Sequence, residues 1–151
     1  MQNYIKSQTR LAFIQYIFQS EFSDLEKNDD IKDFQNYFYN SDIAIIGSKN
    51  EFKLKFNKSF LHQLCENYLI KFEKQETINQ LNKCIDLERK FEKWNTVLKS
   101  IIFAIISELQ NSEKKKLKII FNDYINISKS LVSTKETKLM NAVIQKYLNE
   151  K

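Results

Sequence analysis

The sequence has almost no glycine and no proline, which excludes several kinds of functional site. Its 151 residues include one glycine, Gly47, and no proline. Phosphate-binding loops and dinucleotide-binding turns need several glycines, because their backbones adopt conformations that a Cβ atom obstructs. The sequence therefore excludes the common glycine-dependent nucleotide sites.

Cysteine, histidine and long apolar runs are also scarce. Cys65 and Cys84 cannot build a disulfide framework, and neither has the paired Cys or His spacing of a zinc site. The most apolar stretch, VLKSIIFAIISEL, is interrupted by Lys99 and Glu108, and MQNYIKSQTR lacks the apolar run of a secretory signal. We therefore expect no metal, no cofactor, no membrane association and a cytoplasmic location.

The single histidine, His62, lies three residues before Cys65 on a predicted helix. Such a pair could face each other as base and nucleophile, but nothing in the sequence supplies an oxyanion hole. We therefore expect no catalysis and interpret both cysteines as small buried apolar residues.

Charged residues are abundant, and basic residues outnumber acidic ones. The 24 Lys and Arg residues exceed the 19 Asp and Glu residues, for a formal net charge of +5. A basic excess permits nucleic-acid binding, but ordinary soluble domains also carry it. The charge alone does not identify a partner.

Apolar residues at intervals of three and four predict helices. The first runs from Ile5 to Phe22, and its apolar stripe is formed by Leu11, Ile14, Phe18 and Phe22. The opposite, polar face is expected to carry Gln8, Gln15 and Gln19. A short second helix is predicted over 31–38. At the end of segment 40–56 apolar and charged residues alternate as in a strand, but no pairing partner is evident, so we interpret the segment as an irregular connector.

The segment 58–85 predicts two helices, or one long helix kinked near Glu76. Phe60, Leu64 and Phe72 belong to its first apolar stripe. Thr77, followed three residues later by a glutamine, resembles a capping box that opens a helix.

Three further helices complete the predicted bundle. Apolar residues cover most of the circumference over 97–109, which predicts a core helix. Another stripe covers 117–131, and Ser133 with Glu136 forms a capping box before the last helix. The predicted fold class is all-α, a single helical domain over 1–151 with about six or seven helices.

Three segments then carry a resemblance, in order along the chain: SQTRLAFIQYIFQ, VLKSIIFAIISEL and LKIIFNDYINISKSLVSTKETKLMNAVIQKYL. Together they resemble the first helix, a central helix and the C-terminal helix, hinge and helix of the bacterial transcription antitermination factor NusB family. The C-terminal match rests on Lys118, Asn122, Asp123, Lys129, Ser130, Lys138, Asn141, Ala142 and Val143.

The chain also departs from the family pattern. Where the family has an Arg-rich run before its first helix, this chain has only Lys6 and Arg10. Four more positions differ, and we expect each exchange to leave its helix intact while altering surface chemistry: Phe103, Ser107, Lys116 and Leu139.

The resemblance implies a non-enzymatic antitermination factor built from two packed helical sub-bundles. Implied partners are boxA-type single-stranded RNA, the small-subunit ribosomal protein NusE and the transcribing RNA polymerase complex, with a homodimer also possible. The implied RNA-binding residues are Lys6, Ser7, Arg10, Lys118 and Lys138. The implied partner-binding residues are Lys135 and Leu139.

Individual residues admit a functional and a structural interpretation. Lys6 and Arg10, one helical turn apart, could contact successive phosphates or be two solvated charges. The run 114–118 places lysines near a helix N-terminus, where the dipole disfavours cations; it indicates an anionic partner or a solvated face. For Asn122 we favour a buried side chain that bridges helices.

Three other hypotheses stay open. One is a NusB-like protein-protein adaptor with weak or no RNA binding, which is favoured by the small number of basic residues before the first helix. The RNA-binding arm of a ribosomal RNA methyltransferase shares the fold, but this sequence contains no Gly-rich cofactor segment. An unrelated helical regulator could match by chance.

Overall fold

The computed structural model of the chain describes residues 1–22, 43–44, 51–52, 55–86 and 88–150. These residues form six α-helices, namely α1 (Asn3–Phe22), α2 (Lys58–Lys71), α3 (Lys74–Cys84), α4 (Thr96–Gln110), α5 (Leu117–Ser128) and α6 (Thr134–Asn149). Short 3-10 helices cover Phe91–Lys93 and Lys114–Lys116. The predicted all-α bundle is confirmed, while the helix predicted over 31–38 lies outside the described residues.

Helix α4 is the central helix that its apolar circumference predicts. Every residue from Ser100 to Leu109 is buried, and α4 packs against α1, α2, α5 and α6. The Asn95 side chain accepts hydrogen bonds from the backbone N–H groups of Val97 and Leu98, so the helix begins at an asparagine cap.

Helix α1 is buried on more sides than its predicted single stripe. It packs against α2, α4 and α5. Gln15, predicted for the polar face, is only 8% exposed, whereas Leu11 and Phe18 of the predicted stripe are half-buried. The apolar stripe does face the core, but the prediction of a polar face at Gln15 is wrong, because helices on three sides also cover residues of the second face.

Helices α2 and α3 are separate, which is one of the two predicted arrangements. Helix α2 ends at Lys71 with Phe72 as its C-cap, and α3 begins at Lys74. The capping box predicted at Thr77 is wrong. Thr77 lies inside α3, is buried, and donates its backbone N–H to the carbonyl oxygen of Glu73.

The capping box predicted before α6 is confirmed. Ser133 Oγ accepts from the backbone N–H of Glu136 at 3.1 Å, and Glu136 Oε1 accepts from the backbone N–H of Ser133 at 3.1 Å. Two otherwise unpaired donors at the helix end are therefore satisfied.

Two short strands within the segment 40–56 form an antiparallel pair. Strand β1 (Ile43–Ala44) pairs with β2 (Glu51–Phe52), and Ile43 lies opposite Phe52. The interpretation as a wholly irregular connector is wrong at these residues, because the pairing partner lies within the same segment.

An aromatic cluster surrounds Phe103 in the core. The ring centroid of Phe103 lies 6.1 Å from that of Phe22, 5.2 Å from that of Phe72 and 5.4 Å from that of Phe91. Phe103 and Ser107 are each 1% exposed. The expectation that these two exchanges alter surface chemistry is therefore wrong, since both change the interior.

Candidate functional site

A groove of about 810 Å³ opens between the N-terminal half of α1 and helices α2, α4 and α5. Lys6, Ser7 and Arg10 line it from α1, and Asn122 and Asp123 line it from α5. Three of the five predicted RNA-binding residues thus meet in one groove.

The floor of the groove is a buried ion-pair network around Arg10. Its Nε donates to Glu108 Oε1 at 2.9 Å, and its Nη2 donates to Glu108 Oε2 at 2.8 Å. Its Nη1 donates to Asp123 Oδ2 at 2.6 Å. Tyr124 Oη also donates to Glu108 Oε1, at 2.7 Å. The network therefore joins α1, α4 and α5 through charge-assisted hydrogen bonds.

Burial and neighbouring charge have opposite effects on the pKa of the Arg10 guanidinium. Burial lowers the pKa of Arg10, but hydrogen bonding and the charge of Glu108, with help from Asp123, raise that pKa above its usual value. For Tyr124, burial and the neighbouring Glu108 both raise the pKa of the phenol. The network thus keeps the arginine charged and the tyrosine neutral.

Ser7 extends this network toward the groove opening. Its Oγ donates to Asp123 Oδ1 at 2.5 Å, so both Ser7 and Arg10 bind the same carboxylate. Lys6 is half-buried and lines the same groove.

The burial of Arg10 contradicts one of its two sequence interpretations. Arg10 is 6% exposed, so the alternative of a solvated charge is wrong for this residue. Its guanidinium nitrogens donate to Glu108 and Asp123, which belong to other helices. Helical periodicity within α1 cannot reveal partners so far along the chain.

The other predicted site residues lie outside the groove lining. Lys118 of α5 and Lys135 and Lys138 of α6 are exposed, and Leu139 is half-buried against the core. Of the lysine run, Lys116 does line the groove. The roles of these residues in binding stay predictions.

Sequence reasoning assigned no binding role to the amide side chains of the groove. Six of them line it: Asn3, Gln63, Asn67, Asn111, Asn122 and Asn126. Asn122 is exposed on the wall, so the interpretation as a buried bridge between helices is wrong. The four-residue spacing of Asn122 and Asn126 was a signal that they share one face of α5.

His62 and Cys65 do not face each other as a base and a nucleophile. The His62 side chain is 47% exposed with Nε2 2.9 Å from Glu66 Oε2, whereas Cys65 is fully buried. Burial raises the pKa of the Cys65 thiol. Cys84 is buried as well, which confirms the interpretation of both cysteines as core residues.

The described residues hold neither a metal-binding cluster nor a membrane-spanning helix. Nowhere among them do three His, Cys, Asp or Glu side chains gather in a way that could hold a metal ion. None of their helices combines the length and apolar character needed to cross a membrane.

Known proteins show similarity to this chain over almost its whole length. The model of the NusB family matches residues 7–149. A protein of Rickettsia massiliae named transcription antitermination protein NusB is 26% identical over 96% of this chain and 92% of its own length. Its counterpart of the same name from Rickettsia akari is 28% identical over 97% and 92%. No solved structure matches the chain.

Proposed function

Because this chain belongs to the NusB family, we propose that it acts in transcription antitermination by binding boxA-type single-stranded RNA together with NusE. The observation that carries the proposal is the family match over residues 7–149, which includes α2 to α6 and most of α1. The relatives carry the name transcription antitermination protein, which states a role in transcription.

In this proposal the RNA backbone meets the lysines at the groove. Lys6 and Lys116 line the groove, and Lys118 is exposed on the adjoining helix. Phosphate contacts from such residues position a strand without reading its sequence. Ser7 and Arg10 then contribute by holding the carboxylate of Asp123 in place.

NusE is proposed to dock on the start of α6. Lys135 and Leu139 lie four residues apart, on one face of that helix. Lys135 is exposed and Leu139 is half-buried, which offers one charge and one apolar contact. Lys138, exposed on the same turn, is proposed to contact the RNA. The complex of this protein, NusE and RNA is then proposed to bind the transcribing RNA polymerase.

A titration with boxA RNA and NusE, separately and together, tests this function. Ternary binding tighter than either pair supports it, and the absence of binding to both components refutes it. If about three phosphates are neutralised, log affinity against log salt should fall with a slope of about −2.

Charge reversal tests the RNA surface. Lys6→Glu should lower RNA affinity about tenfold, because it replaces an attraction to phosphate with a repulsion. Lys83→Glu is the matched control, since Lys83 is exposed on α3 and does not line the groove. Equal RNA affinity in both variants would contradict the proposed RNA surface.

A second candidate function is a protein adaptor with weak or no RNA binding. The pairing of Arg10 with Glu108 and Asp123 favours it, because the arginine expected at the RNA surface binds carboxylates instead. In that case Lys135→Glu should abolish NusE binding while Lys6→Glu changes nothing.

A further inference from the structure

The groove carries charges of opposite sign at its rim and its floor. At the rim are Lys6 and Lys116, together with Glu113, whose Oε2 lies 3.3 Å from Lys115 Nζ. On the floor, one guanidinium, that of Arg10, faces two carboxylates, those of Glu108 and Asp123. The formal charge of this trio is one negative unit, so a phosphate is attracted to the rim and repelled from the floor.

Asp123 is the floor group that can still accept hydrogen bonds. Its side chain is 20% exposed, compared with 6% for Glu108. Oδ1 accepts from Ser7 and Oδ2 accepts from Arg10. Because each carboxylate oxygen has two acceptor sites, Asp123 retains capacity for an N–H donor that enters the groove.

The walls offer neutral groups that both donate and accept. Within the described part of the chain, the side-chain amides of Gln63, Asn67 and Asn122 have no hydrogen-bond partner. Asparagine and glutamine amides match the donor and acceptor pattern of base edges, whereas phosphates need only donors.

Apolar surface lies beside these amides. Ile119 is 71% exposed and Met1 is 61% exposed, and both line the groove together with the half-buried ring of Phe60. A volume of about 810 Å³ lies within the usual range of pockets for small organic molecules. A flat heterocycle with polar edges suits such walls.

We propose that the groove holds one unstacked nucleobase with an exocyclic amino group, whose N–H donates to the carboxylate of Asp123 while Lys6 and Lys116 contact the flanking phosphates. Uracil presents a carbonyl oxygen where cytosine presents an amino group, so uracil would place an acceptor against an acceptor. The inference rests on the proposed function, because the base belongs to the bound RNA strand.

Short single-stranded oligocytidine and oligouridine of equal length test this preference on the unmodified protein. Oligocytidine should bind about tenfold more tightly, in line with the discrimination of a good base contact. An oligomer of N4,N4-dimethylcytidine, which lacks the N–H donors, should bind as weakly as oligouridine.

Two variants assign the preference to the groove. Asp123→Asn should remove most of the difference between cytosine and uracil, because it replaces the carboxylate with an amide of the same shape. Asn122→Ala should weaken oligocytidine binding about threefold with an unchanged melting temperature, since Asn122 is exposed and outside the ion-pair network. Asn149→Ala, at an exposed position in α6, is the matched control.

The outcomes separate the two proposals. Equal binding of oligocytidine and oligouridine, or tighter binding of oligouridine, overturns the base preference and leaves the proposed RNA function intact. Binding of neither these oligomers nor boxA RNA overturns both. If Asp123→Asn does not fold, the dimethylcytidine comparison on the unmodified protein still decides.

Discussion

Among single side chains, Arg10 links the fold to the candidate site. It is buried and binds carboxylates from two other helices, so its charge stabilises the groove floor. A buried charge left without its partner is costly, because the surrounding protein cannot solvate it as water does.

Arg10→Ala should therefore lower the free energy of unfolding by about 3–5 kcal/mol, because Glu108 and Asp123 would face each other without a cation. Urea denaturation measures the change. Lys118→Ala, at an exposed position, should stay within about 0.5 kcal/mol of the unmodified protein. A loss below about 1 kcal/mol for Arg10→Ala would show that the network contributes little.

Two buried tyrosines make stability depend on alkaline pH. Burial, followed by the charge and hydrogen bond of Glu21, raises the pKa of Tyr68, and burial with Glu108 raises the pKa of Tyr124. In the unfolded chain these phenols lose their protons near pH 10, whereas the folded protein retains them. Above about pH 10 the unfolded state thus binds fewer protons, and the free energy of unfolding falls as pH rises.

Urea denaturation at a series of alkaline pH values measures this loss. The tyrosines contribute to it above about pH 10, and the buried Cys65 thiol, whose pKa is also raised, adds a loss that begins at about pH 8.5. Tyr68→Phe should make the fall above about pH 10 less steep, because it removes one of the two buried tyrosines whose pKa is raised. Tyr4→Phe is the control, at a position that is 61% exposed. The same slope in both variants would contradict the role assigned to Tyr68.

Among the helices, two similar sequence patterns have different structural outcomes. Ser133 with Glu136 forms a capping box at the start of α6. Thr77 with Gln80 shows a comparable spacing, but α3 begins three residues earlier and the threonine is buried in its interior. A capping motif predicts the start of a helix only where the residues before it are not themselves helical.

Glu136→Ala should therefore cost about 1 kcal/mol of stability, because it removes one half of the capping box. Gln80→Ala should change stability by less than about 0.5 kcal/mol, since the Gln80 amide makes only an exposed 3.5 Å contact with Glu76. Thermal unfolding of the two variants measures the contrast. Equal losses would show that the capping box adds nothing to α6.

For the whole molecule, the aromatic cluster around Phe103 joins elements distant in sequence. Its rings come from the ends of α1 and α2, from the 3-10 helix at Phe91–Lys93 and from the middle of α4. Phe103→Ala should lower the free energy of unfolding by about 3–5 kcal/mol through lost burial and the cavity left behind.

Ile119→Ala is the comparison for Phe103→Ala, because it also truncates an apolar side chain but one that is 71% exposed. It should cost less than about 0.5 kcal/mol. Guanidinium denaturation of both variants measures the difference, and a loss below about 1 kcal/mol for Phe103→Ala would mean that the core closes around the gap.

Local patterns predicted much of the fold. The spacing of apolar residues located α4, α5 and α6 to within a few residues, and Ser133 marked the start of α6. These features depend on residues three or four positions apart, so the sequence displays them directly. Helical spacing also placed Lys6 and Arg10 one turn apart in α1, whereas Ser7 was predicted only from the family resemblance.

The packing of the helices determines which side chains are buried and which of them form ion pairs. Arg10 meets Glu108 across 98 positions of the chain, and Ser7 meets Asp123 across 116. No local pattern encodes such contacts, since they depend on how the helices cross. Helix formation follows from short-range periodicity, whereas the acidic floor of the groove and the buried Phe103 follow from long-range packing.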